Sequence, residues 1–160
     1  MNPAYTLITS ETAYRQAFDT VLARAQREIL IFDHDLATLR LEEKARLEAL
    51  AGFLRNDRLR RIRMVLHAPA RVQCDAPRLM QLIARFSHAI EARQSPDNLR
   101  HLADTHALAD EECGLRRFHV DQPRSALILD DEAYLRPWRQ RFEELWELSA
   151  PCLSIGTTGL

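Results

Sequence analysis

Apolar residues recur along this chain with two periods. Leu79, Leu82, Ile83 and Phe86 fall at i, i+3, i+4 and i+7, which predicts an amphipathic helix, with Asp75 and Pro77 in place as start signals. Trp138, Phe142, Leu145 and Trp146 repeat that spacing inside RPWRQRFEELWEL. Proline is tolerated cheaply only in a helix's first turn, so this helix is expected to begin not far before Pro137. Further helices are predicted from about Glu11 to Arg27 and across LEEKARLEAL, where Leu47, Leu50 and Leu54 form the apolar stripe.

Shorter β-type runs lie between the helices: YTLIT, EILIF, RIRMVLH, then HALAD, LRRFHV and SALIL. The first three alternate with helices, as parallel βαβ units do. The last three follow one another closely. DEECG, from Asp110 to Gly114, suits one hairpin loop, and DQPR at 121–124 suits another turn. With no repeat or linker, the pattern predicts one α/β domain over residues 1–160, a mixed β-sheet flanked by helices.

EILIF ends abruptly on Asp33, His34 and Asp35. In an open α/β sheet, ligands bind beyond the carboxyl ends of the parallel strands, where these three would sit. Alternatively, Asp33 and Asp35 bond to nearby backbone amides in a turn or helix start. His67 closes RIRMVLH on the same predicted edge, His106 opens HALAD, and His119 ends LRRFHV with Asp121 two residues on. Asp33, His34, Asp35, His67 and His119 are thus candidates for a metal-assisted hydrolase. Yet no HExxH or Cys/His spacing supports a metal, and none is expected. His88, at a helix end, is assigned to the surface.

Composition narrows the choices. The 160 residues are enough to bury roughly 70% of the unfolded surface. The net charge of −1 gives no global pull toward nucleic acid or anionic membrane, so anion binding needs a local patch. One of the 22 basic residues is a lysine, Lys44, on the predicted helix surface; the others are arginines. Lysine-dependent chemistry therefore has a single candidate. Arg55, Arg58, Arg60, Arg61 and Arg63 cluster in RNDRLRRIR, read first as a solvated loop and second as a contact for the phosphates of a nucleic acid. No aromatic residue interleaves with them to stack on bases. Arg116, Arg117 and Arg124 flank the histidine-bearing hairpin instead.

There is no GxSxG, and four glycines leave no room for a phosphate-cradling loop, so no cofactor is expected. Cys74, Cys113 and Cys152 form no CxxC pair, and the acids before Cys113 would raise its thiol pKa. Unpaired cysteines and an N-terminus without signal-peptide regions lead us to expect a reduced, cytoplasmic protein. No apolar run reaches the ~20 residues of a membrane span.

The order AIEARQ, HLADTHALADEECGLRRF, SALILDDEAYLRPWRQRFEELWE resembles the second part of a phospholipase D-like domain. In that superfamily a strand bearing H-x-K-x4-D leads into a short hairpin, another strand and a closing helix ending in phenylalanine and tryptophan. Phe142 and Trp146 match that ending, and Asp110 falls at the motif aspartate. The resemblance covers most of residues 28–148, leaving 149–160 as a C-terminal tail, and extends to small uncharacterised bacterial proteins of this fold.

Counting back from Asp110 puts the motif histidine on Ala103 and the lysine on Thr105. Neither His101 nor His106 has a lysine two residues on; Ala103 and Leu108 stand there. In the family the histidine attacks phosphorus and the lysine stabilises phosphoryl oxygens. The resemblance therefore implies the fold without the activity. It points to a binding or interaction module whose relict cleft takes a phosphate-bearing ligand through His106, Arg116, His119 and Arg124. Two alternatives stand beside it: the metal-assisted hydrolase, and a pure partner-binding module with a vestigial cleft. The family generally builds its site from two such domains, so a homodimer is also implied.

Overall fold

The computed structural model describes residues 3–153. Eight strands form one mixed sheet in the order β1-β7-β6-β5-β2-β3-β4-β8. Its centre is β2 (Glu28–Asp33), parallel to β3 (Arg61–Leu66), which is parallel to β4 (Ile90–Gln94). On the other side of β2 lies the antiparallel series β5 (Thr105–Ala109), β6 (Cys113–His119) and β7 (Gln122–Leu129). Helices α1 (Glu11–Arg24), α2 (Lys44–Asn56), α3 (Pro69–Asp75) and α4 (Pro77–Arg85) come before β5, and α5 (Glu132–Leu148) follows β7.

Two apolar clusters explain why EILIF lacks polar alternation. Ile29 and Ile31 pack in the cluster that holds α1, α2 and α4, whereas Leu30 and Phe32 pack in the cluster that holds α5. A strand covered on both faces reads as a continuous apolar run. The helix starts are capped as their sequences allow. Ser10 accepts from the Ala13 amide at 3.1 Å, and Asp131 from the Tyr134 amide at 3.1 Å. A distant residue caps α4: the Glu42 carboxylate accepts from the amides of Arg78 and Leu79 at 3.2 and 2.7 Å, where Pro77 leaves the first turn open. In α5, Pro137 stands in the second turn, since the helix begins at Glu132.

The sheet differs from the expected pattern in three places. YTLIT forms β1 (Ala4–Ile8), but it runs antiparallel to β7 at the sheet edge and makes no parallel βαβ unit. Its direction is set by pairing with residues 125–129, far along the chain. AIEARQ supplies β4, an interior strand next to the edge that is absent from the expected β-type runs; its alternation of buried Ile90 and Ala92 with Glu91 and Arg93 spans only five residues. Ala150–Cys152 forms a further edge strand, β8, antiparallel to β4. The rest of the expected C-terminal tail, 154–160, lies outside the described residues.

The edges are unlike. β1 is five residues long and exposes Tyr5 and Leu7, with Tyr5 meeting Tyr134 of α5 edge-to-face. β8 has three residues and a proline at its centre, Pro151. Among the described residues, no helix is long and apolar enough to cross a membrane.

Candidate functional site

The carboxyl ends of β2 and β3 and the start of β5 meet on one rim of the sheet, and strand alternation divides their side chains between its two faces. Phe32, His67 and His106 share the α5 face: the Phe32 ring lies 5.3 Å from that of His67 and 5.5 Å from that of His106. The exposed His34 ring is 5.7 Å from His67.

The two buried histidines differ in their partners. His67 Nε2 lies 2.9 Å from the Leu102 carbonyl and its Nδ1 2.5 Å from Ser95 Oγ, so Nε2–H donates and Nδ1 accepts from the hydroxyl. Burial pushes the His67 pKa down. His106 packs against Phe32 and Phe142, its Nε2 has no partner among the described residues, and burial, with Arg141 adding, pushes its pKa down to about 3. Both imidazoles are neutral at pH 7.

Arg116 pairs with His106 across the β5–β6 ladder. Its Nε donates to Asp104 at 3.3 Å, while Arg141 forks the same carboxylate at 2.5 and 2.8 Å. Burial pushes the Asp104 pKa up, but the guanidinium groups of Arg141 and Arg116 outweigh that and hold it below the ordinary value. Asp104 is thus an internal anion held closely by Arg141 and more loosely by the half-exposed Arg116. His119 and Arg124 are exposed on the adjoining hairpin. His119 Nδ1 accepts from the Asp121 amide at 3.1 Å, and neither residue shares a hydrogen bond or ion pair with the other candidates.

The α1 face carries a second cluster. Asp33 is buried; Oδ1 accepts from the His34 amide at 2.6 Å, and Oδ2 has no partner among the described residues. Burial pushes its pKa up to about 7. Asp35 accepts from the Ala37 amide at 3.0 Å and meets Arg71 at 3.0 Å. The acids of Asp33-His34-Asp35 tie local amides, as in a turn, and they do so at the carboxyl end of β2.

Arg117 is buried and lies 4.7 Å over the Tyr14 ring. It forks Glu11 at 2.7 and 2.9 Å and donates to the Val120 carbonyl. Tyr14 OH stands 3.4 Å from Thr105 Oγ1, and burial pushes its pKa up. Thr105, at the motif-lysine position, is thus sealed beneath α1, and Ala103 offers only a carbonyl, which accepts from the Val120 amide at 2.7 Å. Asp110, at the motif aspartate, has a positive φ of 51°. Its carboxylate accepts from the amides of Gln26, Arg27 and Glu28 at 2.8, 2.8 and 3.0 Å, a structural tie between the β5–β6 turn and the start of β2.

Sequence reasoning missed Glu11, Tyr14, Ser95, Asp104 and Arg141. Adjacent Arg116 and Arg117 on one strand were a signal, because alternation forces one of them into each covered face.

Among the described residues, no three His, Cys, Asp or Glu side chains gather as a metal site. Cys113 and Cys152 have thiols that burial pushes up to about 11, while Cys74 is exposed. Within the arginine cluster, Arg63 forks Glu143 at 2.8 and 2.7 Å, Arg60 donates to the Phe53 carbonyl and Arg61 to the carbonyls of Arg58 and Arg60. Arg55 and Arg58 remain exposed, with no ion pair among the described residues.

No curated protein matches the chain in sequence. Among solved structures it is similar to TrmBL2, an archaeal chromatin protein whose structure shows a novel mode of DNA binding. The TM-score is 0.67 and the identity 15%, over 92% of this chain and 54% of that one, so this chain spans about half the length of TrmBL2. It is similar to the phospholipase D family member Nuc from Salmonella typhimurium, with TM-score 0.64 and 11% identity, over 94% of this chain and 99% of that one. NucT from Helicobacter pylori aligns with TM-score 0.59 and 9% identity, over 94% and 100% of the two chains. The fold is phospholipase D-like. By a match to its sequence profile over residues 10–156, the chain belongs to the family described as a domain of unknown function, DUF7931.

Proposed function

We propose that this chain is a non-catalytic phospholipase D-like domain that works as a binding module for a phosphate-bearing ligand or a protein partner. One observation carries the reading. The motif-lysine position holds Thr105, sealed under Tyr14 beside the Arg117–Glu11 pair, and the motif-histidine position holds Ala103. No side chain there can attack phosphorus or stabilise its oxygens. The nearest imidazole, His106, is buried and neutral, with no access to a substrate.

The phosphate-binding arm of the proposal uses Arg116, His119 and Arg124. Arg116 is half-exposed and its tie to Asp104 is long, so a phosphate arriving from solvent would share or displace that carboxylate while His119 and Arg124 approach from the hairpin. A nucleic acid is a further ligand of the same chemistry, consistent with the DNA binding described for TrmBL2 and with the exposed Arg55 and Arg58.

Bis(p-nitrophenyl) phosphate tests the missing chemistry: no turnover above the buffer blank is expected. Turnover that disappears in His106→Ala would overturn the proposal. Thermal-shift measurements with inorganic phosphate, nucleoside monophosphates and an oligonucleotide test the ligand. Stabilisation that Arg116→Ala abolishes supports the phosphate arm, and no shift with any of them leaves the protein partner.

A further inference from the structure

On the face of the sheet opposite the histidine rim, α2 and α4 border a groove of about 600 Å³. Its floor is apolar, made by Leu47, Ala51 and Leu82. Its rims are cationic. Lys44 and Arg55 stand on α2, eleven residues or about 16 Å apart along the axis; Arg78 and Arg85 stand on α4, seven residues or about 10 Å apart. All four are exposed. The one carboxylate lining the groove is Glu48, 3.9 Å from Lys44 and largely solvated, a pairing of little energy. Arg55, Arg78 and Arg85 form no ion pair among the described residues.

This concentration is local, because the chain as a whole has a net charge of −1. It also follows the helices. Arg78 and Arg85 are the only charged residues of α4, and both border the groove. On α2, Arg46 points elsewhere, held by Asp19 and Glu43, while Lys44 and Arg55 line the groove.

We infer that the groove between α2 and α4 docks an amphipathic helix of a partner protein, its apolar stripe laid on Leu47, Ala51 and Leu82 and its acidic flanks meeting Arg55, Arg78 and Arg85. Charge complementarity selects the acidic flanks. The two-turn interval between Arg78 and Arg85 matches carboxylates at i and i+7 of a docked helix. The floor selects a helix over a nucleic acid: a phosphodiester backbone has no apolar face to set on leucine and alanine, and no aromatic side chain lines the groove for base stacking. The inference rests on the reading of the chain as a binding module and gives its protein partner a chemistry. It does not depend on the histidine rim.

The probe is a fluorescein-labelled synthetic peptide of about five helical turns, with leucines in a stripe and glutamates flanking it. A scrambled peptide of equal composition and a short DNA duplex serve as comparators, all read by fluorescence anisotropy against the full chain. The patterned peptide is expected to bind more tightly than either comparator and to weaken with added salt. Arg78→Glu with Arg85→Glu is expected to weaken it by about tenfold or more, while Arg136→Glu, an exposed change on α5, leaves it unaltered. Circular dichroism of each variant confirms the fold. Equal binding of the scrambled peptide, tighter binding of the duplex, or indifference to the double reversal would overturn the inference. Turnover of a phosphodiester would sink the non-catalytic reading but leave these anisotropy results standing.

Discussion

Asp33→Asn removes a buried charge while keeping its shape. The Asp33 carboxyl moves from an ordinary 3.8 to about 7 because burial penalises the carboxylate; the Asp35 charge adds to this, while the His34 amide and Arg117 oppose it. A group that holds its proton more tightly folded than unfolded favours the fold at low pH. That support is lost as pH rises from 3.8 to about 7, and above about 7 the ionised group destabilises in full. At 1.36 kcal/mol per tenfold, the whole interval corresponds to about 4 kcal/mol. About 1.5 kcal/mol of it is already present at pH 5, where the unfolded carboxyl is ionised and the folded one is not. The advantage of Asp33→Asn over the parent should therefore grow by about 2.5 kcal/mol between pH 5 and pH 8.

Packing changes caused by the amide are equal at both pH values and drop out of that difference. So does His106, whose depressed pKa acts oppositely, withdrawing stability as pH falls through 6.5. Urea unfolding followed by tryptophan fluorescence, on both proteins at both pH values, measures it. A difference unchanged within about 0.5 kcal/mol would refute the reasoning and show that Asp33 ionises like a solvated or fully paired carboxylate.

Trp146→Ala should cost about 3–5 kcal/mol in the same assay, since the ring is buried, stacks on Phe142 and carries Arg93 and Arg63 on its faces; a loss below about 1 kcal/mol would place it outside the core. Arg141→Ala leaves buried Asp104 with Arg116 alone and should cost about 2–3 kcal/mol, part of it regained when Asp104→Asn removes the stranded charge; no recovery would mean the arginine acts through packing. Light scattering after gel filtration should give twice 18.5 kDa, the mass of a symmetric dimer, and a mass of 18.5 kDa across micromolar concentrations would exclude one.

Much of the fold was legible because its signals are local. The stripe Leu79, Leu82, Ile83 and Phe86 needs only helical geometry, and EILIF announces a strand covered on both faces. β4 and the direction of β1 were not legible, because each depends on partners distant in sequence: IEARQ is a strand by virtue of β3 and β8, and Ala4–Ile8 runs as it does because of Leu129–Ser125. The same division holds at the rim. Strand ends placed Asp33, His67 and His106 near one another, but the β2–β3 register pairs Asp33 with Leu66, which turns Asp33 and His67 to opposite faces. The expected set joined residues of one sheet edge that the pleat divides: Asp33 faces α1, whereas His67, His106, Arg116 and Arg124 lie on the α5 side. Glu11 and Arg117 meet across 106 residues, a pairing no window along the sequence contains.

The unequal edges of the sheet govern how far it could grow. β1 offers a five-residue ladder free of proline and charge, open for another strand to extend. At the far end, β8 has three residues, and Pro151 at its middle cannot donate. A sheet with one receptive end polymerises no further than a pair. If two copies join through β1 about a twofold axis, the continuous sheet that results has β8 at both extremities, each a dead end. Edge pairing through β1 would therefore terminate itself at a closed dimer and would not extend to filaments.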